Sequence, residues 1–270
     1  MHRYVTSTII VATLLLGSCS ARAAEVTKIV PPPEDPRLAA VITALSTLPS
    51  VTAVNSEAMI RAKPEAFFEL LTAAMTESAA AGDLLMLVDK KNALPSGYEP
   101  GDLVSLNGYP LATTRKDLRL RQAVMDAVLA MNAAAGADGV ELVFASSYRS
   151  YEYQDGLFKR YVASHGEAEA SRFSARPGTS QHQLGTAVDF DPIDDAFASS
   201  KAGAWMAAHG WRFGFSLSFP AGLEESTGYI WESWHYRYIT KPGAVLEKDY
   251  FGGVQQYFME FLEAYRKISG

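Results

Sequence analysis

Two short segments of the sequence each combine a histidine with a carboxylate. In the first, His182 stands seven residues before Asp189, and in the second, Glu232 stands three residues before His235. Imidazole nitrogens and carboxylate oxygens are ligands of zinc, and the same groups act as acids and bases in catalysis. These four side chains are therefore the first candidates for chemistry.

The segment that follows His182 has the pattern of a strand with an open face. If residues 185–191 are extended, Gly185, Ala187 and Asp189 point to one side of the strand. The two small residues leave room above the strand for an ion. This pattern indicates a metal site more than a packed core.

The segment around His235 predicts a second strand, over residues 234–239. Alternation places His235 on the face opposite to three aromatic side chains, those of Trp234, Tyr236 and Tyr238. The aromatic rings can then pack in a core while the imidazole faces a cleft. Glu232 reaches the same cleft only if the chain turns at Ser233.

Together these residues predict a catalytic zinc site. His182, Asp189 and His235 would supply three ligands and leave the fourth position of Zn²⁺ open to water, as in catalytic zinc sites. With one carboxylate, the site keeps a charge of about +1, enough to bring the pKa of the water toward about 7. Glu232 would be the general base.

The elements that must position this site predict an α+β fold. We expect a small antiparallel sheet flanked by helices, with a helical N-terminal extension from residue 37 to residue 81. Strands are predicted at residues 84–88, 140–145, 186–190 and 234–239. Helices are predicted at residues 119–135, 151–164, 198–209 and 255–268, with Gly136 as the C-cap of the first.

The first residues are typical of an export signal. A short basic start is followed by an apolar stretch at residues 9–16, which is too short to span a membrane. Two kinds of processing fit the sequence. Ala21 and Ala23 form a small-x-small cleavage site, whereas residues 16–19 resemble a lipobox that would place a lipid on Cys19. The mature protein is expected outside the cytoplasm, in the periplasm or cell envelope.

We divide the chain into three parts. Residues 1–24 are the signal peptide or lipoprotein signal, residues 25–82 a Pro-rich linker and the helical extension, and residues 83–270 the main domain, which holds the predicted zinc site. Cys19 is the only cysteine, so the mature fold is expected to lack a disulfide.

The composition limits the partners. The 270 residues are 48% hydrophobic and 20% charged, which is typical of a soluble globular protein. The net charge is −6 and no Lys/Arg-rich run is present, so we expect no nucleic-acid partner. A membrane contact is expected only through a lipid on Cys19, and a monomer suffices.

Five blocks of the sequence resemble the VanY-type D-alanyl-D-alanine carboxypeptidases, zinc peptidases that share a fold with murein endopeptidases and the hedgehog domain. The motif Ser-x-His-x6-Asp is followed by Glu-x-x-His and preceded by Ser-x-Tyr-Arg-Ser-Tyr-x-x-Gln. The resemblance covers residues 84–241. Its blocks lie at residues 147–154, 174–178, 180–189, 211–215 and 234–238.

The resemblance implies roles for individual residues. It makes His182, Asp189 and His235 the ligands of one zinc ion and Glu232 the base that activates water. It further implies that Arg149 stabilises the scissile carbonyl and its oxyanion. The resemblance also implies that Gln154 helps to position the substrate and that Ser180 binds the terminal carboxylate of a peptide.

The chain departs from the family pattern at a few positions. Ser233 replaces a proline that family members usually carry, so the turn that aims Glu232 must be held by packing. Thr179 and Gln181 replace the usual His and Glu, and we expect both to affect substrate choice.

The expected substrate is a peptidoglycan stem peptide. A D,D-carboxypeptidase that removes the terminal D-Ala of a pentapeptide is the first interpretation. An L,D-carboxypeptidase acting on the tetrapeptide is the alternative, because the sequence does not display the pocket that selects the residue before the cut. A non-catalytic binder of wall peptides would predict loss of Glu232 or of a ligand, and all four residues are present.

Overall fold

Three helices come first in residues 35–269, the part of the chain that the computed structural model describes. They form the predicted helical extension, and further helices are distributed along the rest of the chain. The helices are α1 Arg37–Leu45, α2 Ser50–Ala62, α3 Pro64–Ala80, α4 Gln122–Ala137, α5 Tyr151–His165, α6 Glu167–Phe173, α7 Lys201–His209, α8 Glu224–Thr227, α9 Lys241–Tyr250 and α10 Gln255–Ser269.

The strands form two sheets. They are β1 Leu103–Ser105, β2 Ala112–Thr113, β3 Arg119–Arg121, β4 Val143–Ser146, β5 Ala187–Phe190, β6 Phe215–Leu217 and β7 His235–Tyr238. The larger sheet has five strands in the order β2-β4-β5-β7-β6, and β1 pairs with β3 in the smaller one. All pairs are antiparallel except β2 with β4. The predicted α+β class is confirmed, with one parallel pair at the edge of the sheet.

Two large apolar cores support this architecture. One lies between the five-stranded sheet and helices α4 and α7, and it includes Val128, Phe190 and Tyr236. The other joins the N-terminal helices α1 to α3 to the C-terminal helices α9 and α10, and Phe67 and Phe261 are buried in it. The helical extension therefore shares a core with the end of the chain.

The strand predicted at residues 84–88 is wrong. Its apolar side chains are buried, but they do not share one core. Leu84 enters the core of the five-stranded sheet, Leu85 enters the core of the N- and C-terminal helices, and Val88 lies in a smaller apolar cluster with Leu94 and Leu184. The carbonyl groups of the segment accept hydrogen bonds from arginine side chains, Arg237 to Leu84 and Arg266 to Leu85. Arginine side chains satisfy these backbone carbonyl groups, so the segment needs no partner strand and joins neither sheet.

The predicted start of the helix at residue 119 is also wrong. Arg119–Arg121 form β3, where Leu120 pairs with Val104 of β1. The helix then begins at Gln122 and continues through Gly136 to Ala137, so Gly136 is not its C-cap. Sheet pairing outweighs the helical propensity of leucine and arginine here.

The predicted signal peptide, the lipidation of Cys19 and the prolines at residues 31–33 lie outside the described residues. Within residues 35–269, none of the helices combines the length and the apolar character needed to cross a membrane.

Candidate active site

The three predicted metal ligands meet at the centre of the larger sheet. The antiparallel register of β5 and β7 places Asp189 opposite His235. His182 lies on a 3-10 helix, Gln181–Leu184, that leads into β5 through Gly185. Gly185 has φ +69°, and a Cβ there would lie 2.9 Å from a side-chain carbon of Arg121, so the turn needs glycine.

The donor atoms of these three residues converge on one point. One ligand atom from each of His182, Asp189 and His235 lies within 4.8 Å of the other two, and all three residues are buried. His182 Nε2 is 3.2 Å from Asp189 Oδ2, and His235 Nδ1 is 3.0 Å from Asp189 Oδ1. The spacing fits one small cation.

The hydrogen bonds around the cluster show that a cation fits it. His182 Nδ1 lies 2.7 Å from the carbonyl oxygen of Ser147, which can only accept, so Nδ1 carries the proton. The lone pair of Nε2 then faces Asp189. Asp189 Oδ1 is buried without a hydrogen-bond partner, although His235 Nδ1 is close to it. Two imidazoles and a carboxylate that face one point form a site for one zinc ion.

The protonation states also suit a metal. Burial lowers the pKa of His182 to about 4, and the charge of Arg149 adds to the effect. The imidazole is therefore neutral at pH 7, as a ligand must be. Burial alone would raise the pKa of Asp189, but His182 and Arg149 hold it well below its usual range, so the carboxylate is ionised.

Arg149 lies beside the cluster on the segment after β4. Its Nη2 donates to Asp189 Oδ2 at 2.6 Å, and its Nε donates to Ser146 Oγ at 3.0 Å. The guanidinium is thus held at the wall of the cavity that contains the three donors. From this position its N–H groups can reach a negative oxygen bound in that cavity.

Glu232 lies on the same cavity, as its predicted role requires. The chain turns at Ser233 and Trp234, and the amide of His235 donates to the carbonyl of Glu232 at 3.3 Å. Glu232 Oε2 is then 3.7 Å from His235 Nδ1. Burial raises the pKa of Glu232 to about 8, and the charge of Asp189 adds to the shift.

Packing replaces the proline in holding this turn. Ser233 is buried, and its hydroxyl donates to the carbonyl of Asp194 at 3.5 Å. The amide of Glu232 donates to the carbonyl of Phe219 at 3.0 Å. Both ends of the turn are therefore fixed to neighbouring segments.

All seven residues predicted for the site line one cavity of about 830 Å³. Gln154 is buried, and its Nε2 donates to the carbonyl of Ala175 at 2.8 Å, whereas its Oε1 has no partner. Ser180 Oγ accepts from the amide of His182 at 3.3 Å and caps the 3-10 helix. Its hydroxyl hydrogen stays free to donate.

Two contacts of the site were missed in the sequence. The Ser147 carbonyl belongs to the backbone and has no sequence signature. Gln181 was expected to affect substrate choice, but its Oε1 lies 3.2 Å from His235 Nε2. Its position next to His182 was a usable signal, because residues beside a ligand are often drawn into the surrounding hydrogen bonds.

Comparison with known proteins agrees with this geometry. A family model described as VanY, D-alanyl-D-alanine carboxypeptidase, matches residues 117–241. The chain is 34% identical over 183 residues to the putative carboxypeptidase YodJ of Bacillus subtilis (strain 168), a match that covers 65% of this chain and 67% of that relative.

Solved structures with a similar fold include two peptidases. The structure of the LdcB LD-carboxypeptidase aligns with a TM-score of 0.58 and 34% identity, over 64% of this chain and 87% of that chain. The D,D-pentapeptidase VanY of the VanB-type resistance cassette, a Zn(II) complex, aligns with a TM-score of 0.55 and 30% identity, over 65% of this chain and 98% of that chain. The protein therefore belongs to the VanY family of D-alanyl-D-alanine carboxypeptidases.

Proposed function

We propose that the protein is a zinc-dependent D,D-carboxypeptidase that hydrolyses the terminal D-Ala-D-Ala bond of peptidoglycan stem peptides. The observation that carries the proposal is the buried cluster of His182, Asp189 and His235 with Glu232 beside it in one cavity. Membership of the VanY family supports the substrate class. A non-catalytic binder would have no use for a carboxylate placed next to the metal ligands.

In this proposal His182, Asp189 and His235 hold one zinc ion, which supplies a Lewis acid that makes water nucleophilic near neutral pH. With a zinc ion in the site, the nearby positive charge would favour the ionised form of Glu232. Its carboxylate takes a proton from the attacking water. The water oxygen forms a bond to the scissile carbonyl carbon, the C–N bond of the peptide then breaks, and Glu232 gives the proton to the departing amine of D-Ala. The carboxylate of Glu232 is thereby regenerated.

The other cavity residues are proposed to orient the substrate. Arg149 donates N–H groups to the carbonyl oxygen as negative charge develops on it. Ser180 donates its free hydroxyl hydrogen to the terminal carboxylate. The Nε2 of Gln154 is already bonded to Ala175, so its unpartnered Oε1 can only accept, and we expect it to receive an N–H group of the peptide.

An L,D-carboxypeptidase acting on tetrapeptide stems is the second candidate. The observation that favours it is the likeness to LdcB, whose structure is described as that of an LD-carboxypeptidase and which is 34% identical to this chain. Both activities would use the same zinc ligands and the same base. They differ in the configuration of the residue before the scissile bond.

We further propose that the protein acts outside the cytoplasm as a monomer. The apolar stretch at residues 9–16 supports export, and Cys19 is the proposed site of a lipid anchor if the signal is of the lipoprotein type. The net charge of −6 argues against nucleic acid as a partner.

Mass-spectrometric product analysis tests the proposal. Zinc-loaded protein is incubated with muropeptides that end in pentapeptide or tetrapeptide stems, and the E232Q variant serves as the control. Loss of one D-Ala from the pentapeptide alone is the expected result. Trimming of the tetrapeptide would move the assignment to L,D specificity, and no cleavage by zinc-loaded protein would overturn both candidates.

A further inference from the structure

A buried chain of amides connects helix α10 to His235. Gln255, the first residue of α10, donates from Nε2 to the carbonyl of Ser216 at 3.3 Å. Its Oε1 accepts from Gln181 Nε2 at 3.2 Å. Gln181 Oε1 then lies 3.2 Å from His235 Nε2 and also accepts from Ser218 Oγ at 2.7 Å. All these side chains are buried.

The Ser216 carbonyl at one end of this series of hydrogen bonds determines which group donates and which accepts in each of them. The Ser216 carbonyl can only accept, so the NH₂ group of Gln255 faces it and Oε1 faces Gln181. Gln181 must therefore present its own NH₂ group to Gln255 and its Oε1 to His235. An amide oxygen can only accept, so His235 Nε2 must carry the proton.

We propose that Gln255, acting through Gln181, is a positioning residue that fixes the tautomer and the ring orientation of His235. With the proton on Nε2, the lone pair of His235 lies on Nδ1, the atom 3.0 Å from Asp189 Oδ1. The inference rests on the proposed role of His235 as a metal ligand. It assigns to α10, which lies outside the family match at residues 117–241, a part in metal binding.

The packing of α10 fixes the position of Gln255. The same helix buries Phe258, Phe261 and Leu262 in the core that it shares with the N-terminal helices. Gln255 is 1% exposed and stands at the end of that packed helix. The helical extension therefore stabilises α10, the helix whose Gln255 orients His235.

Metal binding by the Q255L variant tests the inference. Leucine is similar to glutamine in size but neither accepts from Gln181 nor donates to Ser216. We expect the dissociation constant for Zn²⁺, measured by competition with a chromophoric chelator, to rise about tenfold or more, because a partner that orients a metal-bound histidine contributes about 10–100-fold. The visible spectrum of the Co²⁺-substituted protein is expected to change, since it reports ligand geometry.

Gln256 provides the matched control. It is the next residue of α10 and is also buried, but it donates to Asp89 Oδ2 and Glu260 Oε1 rather than to Gln181. The Q256L variant is expected to keep the zinc affinity and Co²⁺ spectrum of the wild type. Thermal unfolding of the metal-free proteins shows whether each variant is folded.

A pair of substitutions at Gln181 keeps the test decisive if Q255L does not fold. The Q181L variant removes the acceptor for His235 Nε2–H and is expected to weaken zinc binding, whereas Q181E keeps an acceptor and is expected to bind at least as tightly as the wild type. Wild-type affinity and spectrum in Q255L, or in Q181L, would overturn the inference. Absence of zinc binding by the wild type would instead overturn the proposed function.

Discussion

The carboxylate of Glu232 can be tested separately from the metal ligands. The E232Q variant keeps the shape of the side chain but cannot take a proton from water. We expect kcat to fall by about 10²–10⁴-fold, the usual contribution of a positioned acid or base. Zinc content should stay at one ion per chain, because Glu232 is not one of the three converging donors. D-Ala release and elemental analysis measure the two quantities.

Glu225 offers a control for this substitution. It is exposed on α8 and does not line the cavity. The E225Q variant should retain wild-type kcat and zinc content. Loss of zinc from E232Q, or turnover equal to that of E225Q, would contradict the role assigned to Glu232.

The distance along the sequence decided which site residues were predictable. His182 and Asp189 lie seven residues apart and Glu232 and His235 three apart, so each pair is visible as a local pattern. Gln181 and Gln255 are 74 residues apart, and only the folded chain brings them together.

At the scale of elements, alanine substitutions at two helical glycines are expected to change the free energy of unfolding in opposite directions. A Cβ on Gly203 in α7 would lie 2.0 Å from the carbonyl oxygen of Phe197, in the 3-10 helix Asp195–Ser199. We expect G203A to lower the free energy of unfolding by about 1–3 kcal/mol, as overpacking usually does. Chemical denaturation of the metal-free protein measures the change.

Gly156 in α5 is the matched position. A Cβ there would meet only the end of the Arg160 side chain, at 3.6 Å. The G156A variant is expected to raise the free energy of unfolding by up to about 1 kcal/mol, because alanine is the better helix former. Equal effects of the two substitutions would show that α7 does not pack as described.

Several elements lie almost where the sequence predicts them. The helix at residues 151–164 and the strand at residues 186–190 appear almost as predicted, as α5 Tyr151–His165 and β5 Ala187–Phe190. Residues 84–88 were mispredicted because an apolar run does not distinguish a strand from a buried segment whose carbonyls are bonded by arginines. These arginines, Arg237 and Arg266, are far from residues 84–88 in the sequence, so a local pattern does not reveal them.

At the scale of the whole molecule, the helical extension is expected to be required for folding. Phe67 of α3 lies 5.1 Å from the ring of Tyr250 and 6.0 Å from that of Phe261, in a core that joins both ends of the described chain. A protein of residues 83–270 should therefore lose cooperative thermal unfolding. A protein of residues 35–270 should retain it, and equal unfolding curves would contradict this view of the core.

Zinc should stabilise the whole fold, because the metal binds the native cluster of His182, Asp189 and His235, which the unfolded chain lacks. At a free zinc concentration about 100-fold above Kd, the free energy of unfolding should rise by about 2.7 kcal/mol. The H235A variant should lose this increase. A rise of the same size in H235A would place the stabilising metal elsewhere.

The most direct test of the central claim is a zinc titration of metal-free protein with a pentapeptide stem as substrate. D-Ala release should be absent without metal and should rise in proportion to added zinc until one equivalent is bound. Release by the metal-free protein, or none after one equivalent of zinc has bound, would contradict a carboxypeptidase built on His182, Asp189 and His235.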